Sequence, residues 1–168
     1  MRKPGSKATP LWTCPVCGRS FAKTHQWHSC RTQSVADHFR GKPPRLRAIF
    51  ETLVGALKAS GPLRVDAVPS SINLISRYHF GGIAIRRDYV RVGFIADHEI
   101  EDRRIRRRQR VGDRRVSHSV VVRTRADIDA KLLGWLAEAQ ALQARVASKG
   151  RGARRRSLLG RSGNTARK

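Results

Sequence analysis

Gly82-Ile83-Ala84-Ile85-Arg86-Arg87-Asp88-Tyr89-Val90-Arg91-Val92-Gly93-Phe94-Ile95-Ala96 reads as two strands and the turn between them. In the second half Val90, Val92 and Phe94 alternate with Tyr89, Arg91 and Gly93, the period of a half-buried strand. Gly82–Arg86 is the first strand, Tyr89–Ala96 the second, and Arg87-Asp88 is short enough only for a tight turn. A connection that short forces antiparallel pairing, because a parallel crossover needs a dozen residues or more. Working outward, Arg64–Val68, Ile72–Ser76 and Ser117–Thr124 are three further strands.

The strands are bracketed by helical periodicity. Leu46, Ile49, Phe50, Leu53, Val54 and Leu57 recur at steps of three and four, which makes one apolar stripe on a helix from Pro44 to Ala59. Pro43-Pro44 suits its start and Ser60-Gly61-Pro62 its end. After Thr124, the residues Ile128, Leu132, Trp135, Leu136, Ala139, Leu142 and Val146 form a second stripe, with Thr124 and Asp127 placed as a capping box. Ser34 can cap a short helical turn over Val35–Phe39. Residues 34–147 are therefore expected to form one α+β domain, a mostly antiparallel sheet packed against two long helices. Residues 1–10 read as a flexible arm and 148–168, rich in Gly, Ser and Arg, as a disordered tail.

All three cysteines fall in the segment between, Cys14-Pro-Val-Cys17 followed by His28-Ser-Cys30. Two sulfurs of a Cys-x-x-Cys turn can face one ion, and Gly18 accepts the backbone twist that follows. His28 and Cys30 would lie about 200° apart on a helix, but point the same way in extended chain. The reading is a zinc ribbon or knuckle over residues 11–31, with Cys14, Cys17, His28 and Cys30 closing a tetrahedral structural site and His25 as an alternative to His28. A disulfide would leave an odd thiol, and no secretory leader is evident. A thioredoxin-like pair lacks its βαβ context. Trp12, Phe21 and Trp27 are expected to pack around the ion.

The charge is placed unevenly. Of a net +24, residues 1–31 carry +6, residues 102–115 carry +6 and residues 148–168 carry +8, so the rest of the chain holds only +4. The middle cluster contains Arg103, Arg104, Arg106, Arg107, Arg108, Arg110, Arg114 and Arg115. It reads as a loop between two strands, able to clamp phosphates with forked guanidinium groups. It has no aromatic for base stacking, so its partner is expected to be nucleic acid held by backbone contacts with little sequence preference. No apolar run reaches the length of a membrane span, and a cytoplasmic protein is expected.

The chain resembles a bacterial family known only as a domain of unknown function, with an N-terminal zinc ribbon and a small YdhG-like α/β domain. The residues that carry the likeness are Trp12-x-Cys14-Pro15-x-Cys17-Gly18-Arg19-x-Phe21 and Gln26-x-His28-Ser29-Cys30 at one end. At the other end they are Asp127-Ile128-Asp129 and Leu133-x-Trp135-Leu136-x-Glu138-Ala139. The resemblance implies a fold and a metal but no reaction. Members often carry Asn at the position of His25, which favours His28 as the ligand.

An enzyme is the weaker reading. Asp97-His98-Glu99-Ile100-Glu101-Asp102 could in principle hold a catalytic divalent ion for a hydrolase or nuclease, but acids beside an arginine run also serve simply to balance charge. No Gly-rich phosphate loop, nucleophile elbow or His-Glu-x-x-His is present. His79 and His118 sit on or near strands and read as packing or hydrogen-bonding residues. The sequence therefore points to a zinc-containing, non-enzymatic nucleic-acid binder. The alternative is a ligand- or protein-binding module whose charge is incidental.

Overall fold

The computed structural model describes residues 10–31 and 33–145. The expected tail, the arm except Pro10, and Val146 of the second stripe lie outside them. A two-stranded antiparallel ribbon, β1 (Trp12–Thr13) with β2 (Ser20–Phe21), opens the described chain. A 3₁₀ turn (Ala36–Phe39) and helix α1 (Pro44–Ser60, 17 residues) follow. Six strands come next: β3 (Arg64–Val68), β4 (Ser71–Ile75), β5 (His79–Ile85), β6 (Val90–Ala96), β7 (Ile105–Gly112) and β8 (Arg115–Val122). A second 3₁₀ turn (Arg125–Asp127) leads into α2 (Ala130–Arg145, 16 residues).

The strands form one antiparallel sheet in the order β3-β4-β5-β6-β8-β7. Its alternation sorts the side chains as expected. Leu74, Ile83, Val92, Phe94, Val120 and Val122 are buried on one face, in a single core with Leu46, Ile49, Leu53 and Leu57 of α1 and Leu132, Leu136 and Ala139 of α2. The fold is α+β, with both helices on that face.

The opposite face is built differently. Asn73, Gly82, Gly93, Ser119 and Arg107 lie side by side across five strands. Among the described residues no helix covers these small and polar residues. Gly81 sits at the β4–β5 irregularity, where a Cβ would fall 2.4 Å from the Gly93 carbonyl oxygen, so only glycine allows β5 and β6 to approach so closely.

Several boundaries differ from expectation. The turn after Ser34 is 3₁₀, yet Ser34 and Asp37 cap one another as an N-terminus should: the Asp37 amide donates to Ser34 Oγ (3.2 Å) and the Ser34 amide to Asp37 Oδ2 (2.9 Å). Thr124 and Asp127 do form a capping box, but around a 3₁₀ turn. The true N-cap of α2 is Asp129, whose Oδ1 accepts the Leu132 amide at 2.9 Å. The largest correction concerns residues 102–115. The arginine run is not a loop. Residues 105–112 are β7, an edge strand paired with β8 through a turn at Asp113-Arg114.

Candidate functional site

The Cys-x-x-Cys turn is held by its own backbone. The Cys14 amide donates to the Arg19 carbonyl (2.9 Å) and the Gly18 amide to the Cys14 carbonyl (2.9 Å), with Gly18 at φ +69°. The β1–β2 ribbon thus turns both sulfurs to one side. Across from them, His28 and Cys30 arrive on chain that is neither helix nor strand. The four donor atoms, from Cys14, Cys17, His28 and Cys30, lie within 4.8 Å of one another and could hold a metal ion.

The distances suit tetrahedral coordination. Cys14 and Cys30 sulfurs are 3.8 Å apart, and His28 Nε2 lies 3.3 Å from both Cys17 and Cys30 sulfurs. Zinc–sulfur bonds of about 2.3 Å place two ligand sulfurs about 3.8 Å apart at tetrahedral angles. On its far side His28 Nδ1 donates to the Gln26 carbonyl at 2.6 Å, which leaves Nε2 as the free lone pair facing the sulfurs. His25 is not in the cluster. It adopts φ +54° and packs on Trp12, ring centres 5.1 Å apart.

The electrostatics also ask for a cation. Burial opposes ionisation of Cys14, but the amides of Cys17 and Val16 outweigh it and bring the thiol to about 6. Cys30, desolvated and beside the other sulfurs, is pushed up to about 11. One thiolate forms readily and the next is resisted. A bound divalent ion removes that resistance by compensating the charge.

Around the site, Phe21 packs on His28 with ring centres 4.3 Å apart, and Trp12 stands edge-on to His28 at 6.3 Å. Trp27 departs from expectation. Its side chain is 92% exposed and covers nothing.

Arg19, which the sequence did not single out as functional, joins this module to the sheet. Its guanidinium donates to the carbonyls of Ser29 (2.7 Å) and Arg31 (3.0 Å) inside the module. On β3 it donates to Asp66 Oδ1 (3.0 Å) and to the Ala67 carbonyl (3.3 Å). The module therefore stands against the β3 end of the sheet.

The arginine cluster divides into separate groups. Arg104 is structural: its Nη1 donates to both carboxylate oxygens of Asp129 (2.8 and 2.7 Å), its Nη2 donates to the Asp127 carbonyl (2.7 Å), and it lies over Trp135. Arg106, Arg107, Arg108 and Arg110 are exposed on β7, with Arg106 at a bulge. Arg107 donates to Gln109 (3.0 Å), Arg110 to the Asp113 carbonyl (3.3 Å), and Arg108 lies 3.5 Å from Glu99. Arg103 and Arg114 flank the strand. Arg115, the first residue of β8, lines a cleft instead.

The acidic run does not converge. Asp97 pairs with His98 (2.9 Å), Glu99 faces Arg108, and Asp102 binds Lys131 (2.6 Å), while Ile100 is buried in the core. Among the described residues the only cluster of His, Cys, Asp and Glu able to share an ion is the Cys₃His group. His118 is buried against Phe94 and accepts the Ile100 amide on Nε2 (3.0 Å), a packing role. No helix among the described residues is long and apolar enough to cross a membrane.

No curated protein and no solved structure matches the chain. A family model does, over residues 35–148, which take in every element from the first 3₁₀ turn through α2 and leave the cysteines outside. With more than half of its length matched, the chain belongs to the family described as Domain of unknown function (DUF5655).

Proposed function

We propose that the protein carries one structural zinc on Cys14, Cys17, His28 and Cys30, and that it binds nucleic acid through the outward arginines of β7, assisted by its basic termini. The observation that supports this is the position of the charge. A solvated loop would disperse its arginines, whereas an edge strand holds them at fixed spacing, Arg107 on the polar sheet face beside Ser119 and Arg108 and Arg110 on the opposite side. Guanidinium groups fixed on a rigid strand edge are suited to phosphates. Little sequence preference is expected, because β7 presents no aromatic side chain.

The test is a binding titration across salt concentrations, using zinc-loaded full-length protein and mixed-sequence oligonucleotides. Each phosphate neutralised on duplex DNA contributes about −0.9 to the log–log slope. Replacing Arg106, Arg107, Arg108 and Arg110 with Gln is expected to flatten that slope by roughly two to four units. An unchanged slope in this variant would remove β7 as the phosphate-binding element.

A further inference from the structure

The aromatic residues of the Cys₃His module are used in two ways. Trp12 and Phe21 both pack on His28. Trp27 is the most exposed large apolar side chain among the described residues, at 92%. An aromatic side chain offers roughly 150–250 Å² for burial, and an indole left in water gains nothing from it.

Its backbone is nevertheless tied down on both sides. The residue before it, Gln26, accepts a hydrogen bond from His28 Nδ1 (2.6 Å), and the residue after it, His28, belongs to the Cys₃His cluster. The ring is thus presented from a short closed loop. Its surroundings along the chain are polar and positive. Lys23, Thr24, Gln26, Ser29 and Arg31 are all exposed, and residues 10–31 contain no Asp or Glu.

That setting discriminates between partners. The core of a protein–protein interface sets its aromatic anchor among further apolar and aromatic side chains, with charged residues kept to the rim. Trp27 has no other exposed apolar side chain in its own run, 23–31. A nucleic-acid base needs only one flat ring to stack on, and the phosphates joined to it favour cations nearby. In a duplex the faces of the bases are occupied by their neighbours, whereas a single strand can turn one out onto an indole.

We propose that Trp27 is a stacking platform for an unpaired base, so that the Cys₃His module binds single-stranded nucleic acid, with Lys23 and Arg31 contributing positive charge. This rests on the nucleic-acid reading above and adds to it a contact that β7, which has no aromatic side chain, does not offer. The module and β7 then divide the work: β7 is indifferent to strandedness, and Trp27 is selective for it. Sequence preference stays small, because every base has a face to stack.

The experiment measures fluorescence anisotropy with zinc-loaded full-length protein, a labelled mixed-sequence single strand and the same sequence as duplex, across salt concentrations. Trp27→Ala is expected to weaken single-strand binding by about 5- to 150-fold, the effect of losing one stacked base. Trp27→Phe should recover part of that loss. Duplex affinity should change by less than about twofold, and the salt slope should not change, since no charge is removed. A side chain so exposed makes no contribution to the core, so each variant should keep its zinc and its thermal midpoint. Three results would overturn the proposal: single-strand affinity that ignores Trp27→Ala, an equal loss on single strand and duplex, or self-association of the free wild type that Trp27→Ala abolishes, which would assign the ring to a second copy. The two readings fail separately. If the Arg106, Arg107, Arg108 and Arg110 substitutions leave the slope unchanged while Trp27→Ala still acts on single strands, β7 is excluded and the platform stands. If the slope flattens but Trp27→Ala does nothing, the platform is excluded and β7 stands.

Discussion

Arg19 holds two parts of the molecule with one guanidinium, and its neighbour in that contact, Asp66, is 47 residues away. The Cys₃His set was legible in the sequence because all four ligands fall within seventeen residues, and spacing alone limits how they can meet. The latch was not legible, since nothing local to Arg19 names its partner. Arg19→Gln is expected to free the module without emptying it. Limited proteolysis should cut faster near residues 31–34, while metal analysis still returns one zinc per chain. Arg104 and Arg106 make a second contrast between residues that look alike in sequence. Arg104→Gln removes the Nη1 contacts that orient the Asp129 cap and should lower the urea midpoint. Arg106→Gln should stay within about 0.5 kcal/mol. Urea denaturation of both variants measures the difference. His118 gives the pH dependence. Burial pushes its pKa below 6.5, so the folded state binds the proton less readily than the unfolded chain. Its contribution is then complete above pH 6.5 and erodes as pH falls below that value. The loss of urea midpoint between pH 7.5 and 5.5 should be smaller in His118→Phe than in the wild type.

At the scale of elements, the strands that face the core were readable and β7 was not. Val90, Val92 and Phe94 must alternate because one side of β6 is buried. β7 buries almost nothing, so no selection for alternation acts on it, and its residues read as a charged loop. What makes it a strand is the ladder that β8 offers. The first turn of α2 is hard to place for a related reason: Thr124 with Asp127 and Asp129 with Leu132 are both sound caps, and only packing decides which begins the α-helix. Glycine shows how far context overrides type. Gly55 is exposed on α1, and a methyl group added there would meet nothing within 4 Å, so Gly55→Ala should stabilise by about 0.5–1 kcal/mol through helix propensity. Gly81→Ala drives a methyl into the Gly93 carbonyl and should destabilise by about 1–3 kcal/mol or more, as overpacking does. Thermal midpoints of the two variants should move in opposite directions.

For the whole molecule, two stability centres of unequal kind are joined at β3. The α+β core is sustained by apolar burial, whereas the module has only Trp12, Phe21 and its ligands. Removing metal with a chelator should therefore abolish hydrogen-exchange protection in residues 11–31 and leave that of β4–β6 and α1 near its original level. Loss of protection throughout would mean that the module is integral to the core. The sheet also ends in two different ways. The Cys₃His module stands against β3, but among the described residues nothing covers β7, and an uncovered strand is a template for a second chain. Repulsion between the β7 arginines of two copies would oppose such pairing. Concentrated salt weakens that repulsion, as does any neutralisation of these arginines, so solubility of this protein should fall as ionic strength rises, and a bound polyanion and an edge-to-edge dimer should compete for the same strand.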